Sequence, residues 1–155
     1  MITNEQVRGI ALFFLLALME ERLALQAAHK AIAHLKSIGT NSGTNPTSEI
    51  DPVTLIRVLK KTLVPYRKLL TRNRGGITPG SAWKLPDNSD ITPWVKFQKD
   101  NSENEVIAVI LSKVLPFTDQ QIAEGLNVSL GTARYRIGKG VRQLGGQFEP
   151  RVRRA

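Results

Sequence analysis

The chain contains no cysteine. This excludes a disulfide framework, a thiolate metal site and a cysteine nucleophile, and it fits a reducing compartment, so a cytoplasmic location is expected. Histidine is scarce too. The two present, His29 and His34, are five residues apart, whereas a metal-binding pair on one helix face sits four apart. With no carboxylate or thiol to complete a set, we expect neither a metal nor any other cofactor. The apolar run from Ile10 to Met19 is ended by Glu20, Glu21 and Arg22 at about half of the ~20 residues a membrane span requires. A secretory signal would carry a more basic start and a small-residue cleavage site; here Glu5 lies upstream and the acidic pair downstream. No membrane partner is expected. Gly75-Gly76 and Gly145-Gly146 neither follow a strand pattern nor lead into a G-K-[ST] phosphate loop. Without a nucleophile, a general base set or a nucleotide motif, the chain is not expected to be an enzyme.

What the sequence does hold is positive charge. Its 155 residues carry 22 Lys and Arg against 13 Asp and Glu, a formal net charge of +9. The excess is uneven. Residues 1–48 have four basic and three acidic side chains, 49–74 seven and two, 75–103 three and four, and 104–155 eight and four. Two basic blocks separated by a neutral stretch suggest two contact surfaces for an acidic polymer, because clustered Lys and Arg gain affinity by displacing counterions from phosphates. Hydrophobic residues make up 41% of the chain, enough for a packed core.

The periodicity is helical throughout. Glu5 to Lys36 has no proline and is built of strong helix formers, giving one long or two abutting helices. Leu23, Ala27, Ala31 and Leu35, thickened by Leu25, Ala28 and Ile32, form an apolar stripe. The helix is expected to end before Gly39, with residues 39–50 a loop. Asp51-Pro52 is a helix start. Leu55 or Ile56, then Leu59, Leu63, Tyr66 and Leu70, mark its inner face, while Arg57, Lys60, Lys61, Arg67, Lys68 and Arg72 fall in an arc of roughly 140° opposite. Pro65 should kink or break this helix near Val64. Residues 75–103, rich in Gly and Pro, read as a linker in which Trp83, Trp94 and Phe97 are most simply core filler. The fold class is therefore all-α, with two small helical lobes, 1–74 and 104–150, and a basic tail at 151–155.

The second lobe carries the sharpest pattern. A helical stripe of Val106, Val109, Ile110 and Val114 stops at Pro116. Thr118 with Gln121 is a capping box opening a short helix from Asp119 to Leu126, with Ile122, Ala123 and Leu126 inward. Asn127 tolerates the left-handed conformation of a tight turn, Val128 plugs it, and Ser129 caps the next helix. There Ala133, Ile137, Val141 and Leu144 form a buried stripe, while Thr132, Arg134, Tyr135, Lys139 and Arg142 face away. A short helix, a tight turn and a capped basic helix are the helix-turn-helix plan, whose second helix fits the DNA major groove.

The stretch Phe117 to Leu144, FTDQQIAEGLNVSLGTARYRIGKGVRQL, resembles region 4 of bacterial sigma factors, particularly the extracytoplasmic-function class. The resemblance rests on Gln121-Ile122-Ala123, Leu126, Ser129, Gly131-Thr132, Arg136-Ile137 and Leu144. More weakly, residues 18–36 are similar to the region 2 helix that docks on the polymerase clamp, and 53–74 to the basic helix that handles the downstream promoter element. The resemblance implies a transcription initiation protein whose partners are promoter DNA, core RNA polymerase and an anti-sigma factor. It implies polymerase contact through Glu20, Glu21, Gln26, His29 and Lys30. DNA contact would fall to Arg57, Lys61, Arg67, Lys68 and Arg72 in the first lobe, and to Ser129, Thr132, Arg134, Tyr135, Arg136, Lys139 and Arg142 in the second. Two other readings stay open. One is a degenerate sigma-like interaction protein, since Leu23, Leu25 and Gln26 stand where the family has an acidic cluster. The other is a free-standing helix-turn-helix regulator that dimerises through its N-terminal helices.

Overall fold

The computed structural model describes residues 2–41, 49–70 and 92–148, and among these the chain is all-helical. The helices are α1 (Asn4–Leu18), α2 (Glu21–Asn41), α3 (Pro52–Leu70), α4 (Thr92–Asp100), α5 (Glu103–Val109), α6 (Asp119–Leu126) and α7 (Leu130–Phe148). α5 continues into a π-helical turn, Ile110–Val114, closed by the Leu115 amide on the Ile110 carbonyl at 2.9 Å.

α1 begins at a capping box. The Gln6 amide donates to Thr3 Oγ1 and the Thr3 amide to Gln6 Oε1, both at 3.1 Å, satisfying two of the donors a helix start leaves open. The apolar run lies at the centre of the molecule, with Ile10, Phe13, Phe14, Leu15, Ala17 and Leu18 all buried. A helix covered nearly all round must be apolar nearly all round, so the run is core. Met19, at φ 52° and ψ 29°, takes the left-handed conformation that ends α1. The stretch 5–36 is thus two abutting helices. Glu20, itself buried, starts the second by accepting from the Leu23 amide at 2.5 Å.

α2 packs on α1 and α3 through small side chains, Ala24, Ala27, Ala28 and Ala31, with Leu23 and Leu35 at the ends of the stripe. Leu25, assigned to that stripe from sequence, is half exposed at 50%. It lies 200° from Leu23, on the opposite side of the helix. α2 runs on through Gly39 to Asn41, three residues past its expected end, and residues 42–48 lie outside the described part. At α3, Asp51 Oδ2 accepts from the Thr54 amide at 3.1 Å. α3 is continuous through Pro65, so of the expected kink or break the break does not occur. Lys61 and Pro65 are both exposed, so the Lys61 carbonyl that proline leaves unbonded is open to water.

The expected linker is partly helix. Its residues 92–100 form α4, with Pro93 in the first turn, where its missing N–H costs nothing. Trp94 and Phe97, one turn apart, are buried with ring centroids at 5.2 Å. Trp83 and residues 71–91 lie outside the described part, as does the 151–155 tail. The two helical segments on either side share one hydrophobic cluster, to which α1 to α7 all contribute. They meet where α3 packs on α6. A Cβ placed on Gly125 would lie 2.5 Å from Ile56 Cγ2, so only glycine lets these two helices come this close.

No helix of the described residues is long and apolar enough to cross a membrane.

Candidate nucleic-acid interface

α6, the turn and α7 form the helix-turn-helix unit. The Thr118 amide donates to Gln121 Oε1 at 3.0 Å and the Gln121 amide to Thr118 Oγ1 at 3.2 Å, fixing the start of α6. Its end is set by Asn127 at φ 57° and ψ 48°, with the Asn127 amide on Glu124 O at 3.2 Å and the Val128 amide on Ala123 O at 2.9 Å. These bonds satisfy two of the four carbonyls the helix end would otherwise leave bare. Val128 turns half-buried onto the core. Ser129 then caps α7 by accepting from the Thr132 amide at 3.1 Å, and its hydroxyl reaches Thr132 Oγ1 at 2.9 Å.

One side of α7 is fixed by packing. Ala133 and Ile137 are buried against the core. Gly140 continues their line, since a Cβ there would stand 2.4 Å from Val109 Cγ2 and 3.3 Å from Glu105 O. Val141, expected in the stripe, is 36% exposed; its place is taken by Gly140, where α5 presses closest. The opposite side holds Arg134, Tyr135 and Arg142, which at 100° per residue fall in an arc of about 100°. All three are exposed, Tyr135 at 62%. Gly138 shares the arc, and the Arg142 guanidinium lies over it, with Nη1 3.3 Å from where a Cβ would be.

The other expected contacts of α7 lie on its flank. Thr132 and Arg136 are half-buried. Lys139 Nζ is 2.9 Å from Glu105 Oε1. Glu105 is buried on α5 and accepts from the Ser102 amide at 2.9 Å and the Ser102 hydroxyl at 2.6 Å. Those bonds, led by the Ser102 hydroxyl and joined by Lys139, hold the carboxyl below its ordinary value, while the Glu105 carboxylate raises Lys139. Lys139 therefore ties α7 to α5. Arg134 makes a looser contact, Nε to Asp119 Oδ2 at 3.4 Å with both side chains substantially exposed, the kind of pair that contributes little in water.

On α3, Arg57, Lys61 and Lys68 are exposed. Arg67 is turned inward: Nη1 donates to the Ala17 carbonyl at 3.1 Å and Nε lies 3.7 Å from Glu103 Oε2. Arg72 lies outside the described residues. Of the side chains expected to meet polymerase, Glu20 is buried in its cap, Glu21 is half-buried, and Gln26, His29 and Lys30 are exposed along α2. Lys30 Nζ stands 6.0 Å from the centre of the Tyr66 ring. Among the described residues no group of three His, Asp or Glu is placed to hold a metal ion.

Three side chains that matter went unassigned from sequence or were assigned elsewhere. The last carbonyls of α1 are met by Trp94, whose Nε1 donates to Leu16 O at 2.9 Å, by Gln98 on Ala17 O, and by Arg67 on the same oxygen. The spacing of Trp94 and Phe97 at i, i+3 after Pro93 was the available signal. Compared with protein-family models, curated proteins and solved structures, the chain gives no match.

Proposed function

We propose that this protein is a sigma-factor-like transcription initiation protein that reads promoter DNA with α7. The observation that carries the reading is the Asn127-closed pair α6 and α7, presenting Arg134, Tyr135 and Arg142 on one exposed face opposite the packed one. Arginine can pair with two acceptors of guanine in the major groove and tyrosine can reach base edges or phosphates, so this face can both position and specify. Arg57 and Lys61 on α3 add phosphate contacts, and Gln26, His29 and Lys30 on α2 are the side chains offered to polymerase. The test is a pull-down of core RNA polymerase with the full chain, together with selection of duplexes from a random library at moderate salt. The expected result is stoichiometric polymerase binding and an asymmetric selected sequence whose preference is lost in R134A. Failure to bind polymerase, with sequence-selective DNA binding kept, would replace this reading by a free-standing helix-turn-helix regulator.

A second reading, a sigma-like interaction protein that does not open DNA, is favoured by one specific placement. Arg67, expected at the DNA, caps α1 from within the fold. Polymerase binding without any sequence preference in the selection would decide for it.

A further inference from the structure

A cleft of about 240 Å³ opens between the first turns of α1, the start of α3 and the segment leading from the π-helical turn into α6. Its floor is apolar, formed by Ile10, Leu55, Leu59 and Leu115. Leu115 packs closely over Gly9, where an added Cβ would meet its Cδ2 at 3.3 Å. Its walls are tied together by the Gln6 side-chain amide, which donates to the Ile50 carbonyl at 3.1 Å. The cleft is thus held open by the fold, as binding sites commonly are.

The polar chemistry left over at its rim has one sign. The side-chain oxygens of Thr3, Gln6 and Gln121 are each spent on a backbone amide of a helix start. Glu5 and Glu49 also line the cleft, are exposed, and form no ion pair among the described residues. Two uncommitted carboxylates around an apolar floor stand out on a chain of net charge +9, whose overall field repels cations.

We propose that this cleft binds a small amphipathic cation, an alkyl- or arylammonium, with its apolar body on Leu55, Leu59 and Leu115 and its ammonium at Glu5 and Glu49. This site is separate from the α7 face and does not depend on the DNA reading. Because Leu115 and Gln121 lie on the path into α6, occupancy is felt at the start of the helix-turn-helix unit.

The test is an NMR titration of the full chain with 2-phenylethylamine, its neutral counterpart 2-phenylethanol, and methylammonium. The amine is expected to shift the Leu55, Leu59 and Leu115 methyls and the Thr118 to Gln121 amides, and to bind about tenfold more tightly than the alcohol. Methylammonium, with charge but no apolar body, is expected to leave these signals in place. In E5Q/E49Q the advantage of the amine should vanish while the alcohol binds as before. E49Q alone, outside any helix, serves as the second variant, and it should remove part of the advantage without touching α1. Equal binding of amine and alcohol, shifts confined to other surfaces, or no binding of the amine would each overturn the proposal.

Discussion

Glycine in a helix ordinarily costs about 1 kcal/mol relative to alanine, so a glycine-rich α7 looks weak until each position is set against its neighbours. At Gly145 nothing stands within 4 Å of an added Cβ. G145A is therefore expected to stabilise the protein, by up to ~1 kcal/mol. At Gly140 the added carbon would stand 2.4 Å from Val109 Cγ2, and overpacking of that kind costs ~1–3 kcal/mol, more than the propensity gain returns. G140A should then be destabilising, and V109A should recover part of the loss when added to it. Urea denaturation of the three variants checks the signs; stabilisation by G140A would mean that α7 does not press on α5 there. The ion pair beside it has a pH signature. Glu105 is held below the ordinary carboxylate value of 4.5, chiefly by Ser102, so its contribution is present above that value and is lost as pH falls through the lowered one. Lys139 is raised above 10.5 by Glu105, so its share is present below that value and fades only as pH rises through the raised one. E105Q should therefore flatten the loss of stability as pH falls below the ordinary carboxylate value of 4.5, and denaturation midpoints measured from neutral into acid would show it.

At the scale of elements, the end of α1 is the feature on which the rest leans. A central helix cannot leave its last carbonyls bare in an apolar surround, because an unpaired buried acceptor costs roughly 1–3 kcal/mol. Here Trp94, Gln98 and Arg67 come from two other helices to meet Leu16 O and Ala17 O. W94F keeps most of the ring and removes the donor, so it should cost about 1–3 kcal/mol of stability, read from urea midpoints; a loss within error would mean that water replaces the indole. This arrangement also marks the boundary of what sequence can convey. The capping box at Thr118, the turn at Asn127 and the Ser129 cap were legible because each is a local pattern whose cause lies within four residues. The Asp51 cap is equally local, and so is the Thr3 box, although it was not assigned from sequence. By contrast, the bond from Trp94 to Leu16 joins residues 78 apart, and no periodicity reports on it. For the same reason Arg67 looked like part of the basic arc. Helical phase places it beside Lys60 at one edge of that arc, but only the approach of α1 and α5 turns its guanidinium inward. Leu25 and Val141 failed differently: Leu25 lies across the helix from Leu23, so its hydropathy misled where its phase did not, whereas Val141 sits at the edge of its stripe, and which edge is covered depends on where the neighbouring helix lies.

Over the whole molecule, the helix-turn-helix unit is built into the core that α1 to α3 supply. Sequence suggested two lobes and left open how they sit together; the contact that joins them, Ile56 on Gly125, needs a side chain and a gap from positions 69 residues apart. Since Ile122, Ala123 and Leu126 of α6 belong to the same buried cluster as Phe13, Phe14 and Leu59, separating α6 from α3 would expose apolar surface on both. At about 25 cal/mol per Å², uncovering even a few such side chains takes a large share of the 5–15 kcal/mol that holds an ordinary domain together. The described helices are therefore expected to open together. Hydrogen exchange on the full chain tests this directly. Core amides of α1, such as Phe14, and of α7, such as Ile137, should exchange through openings of equal free energy and equal denaturant dependence. Replacing Gly125 with leucine, which forces α3 and α6 apart, should split the two values, α7 opening more easily than α1. Unequal values in the unaltered protein would mean that α6 and α7 open independently of α1 to α3, and that DNA bound by the Arg134 face would stabilise α7 alone. Equal values carry the opposite consequence: by linkage, a duplex bound at that face should raise the protection of α1 by the same free energy as that of α7.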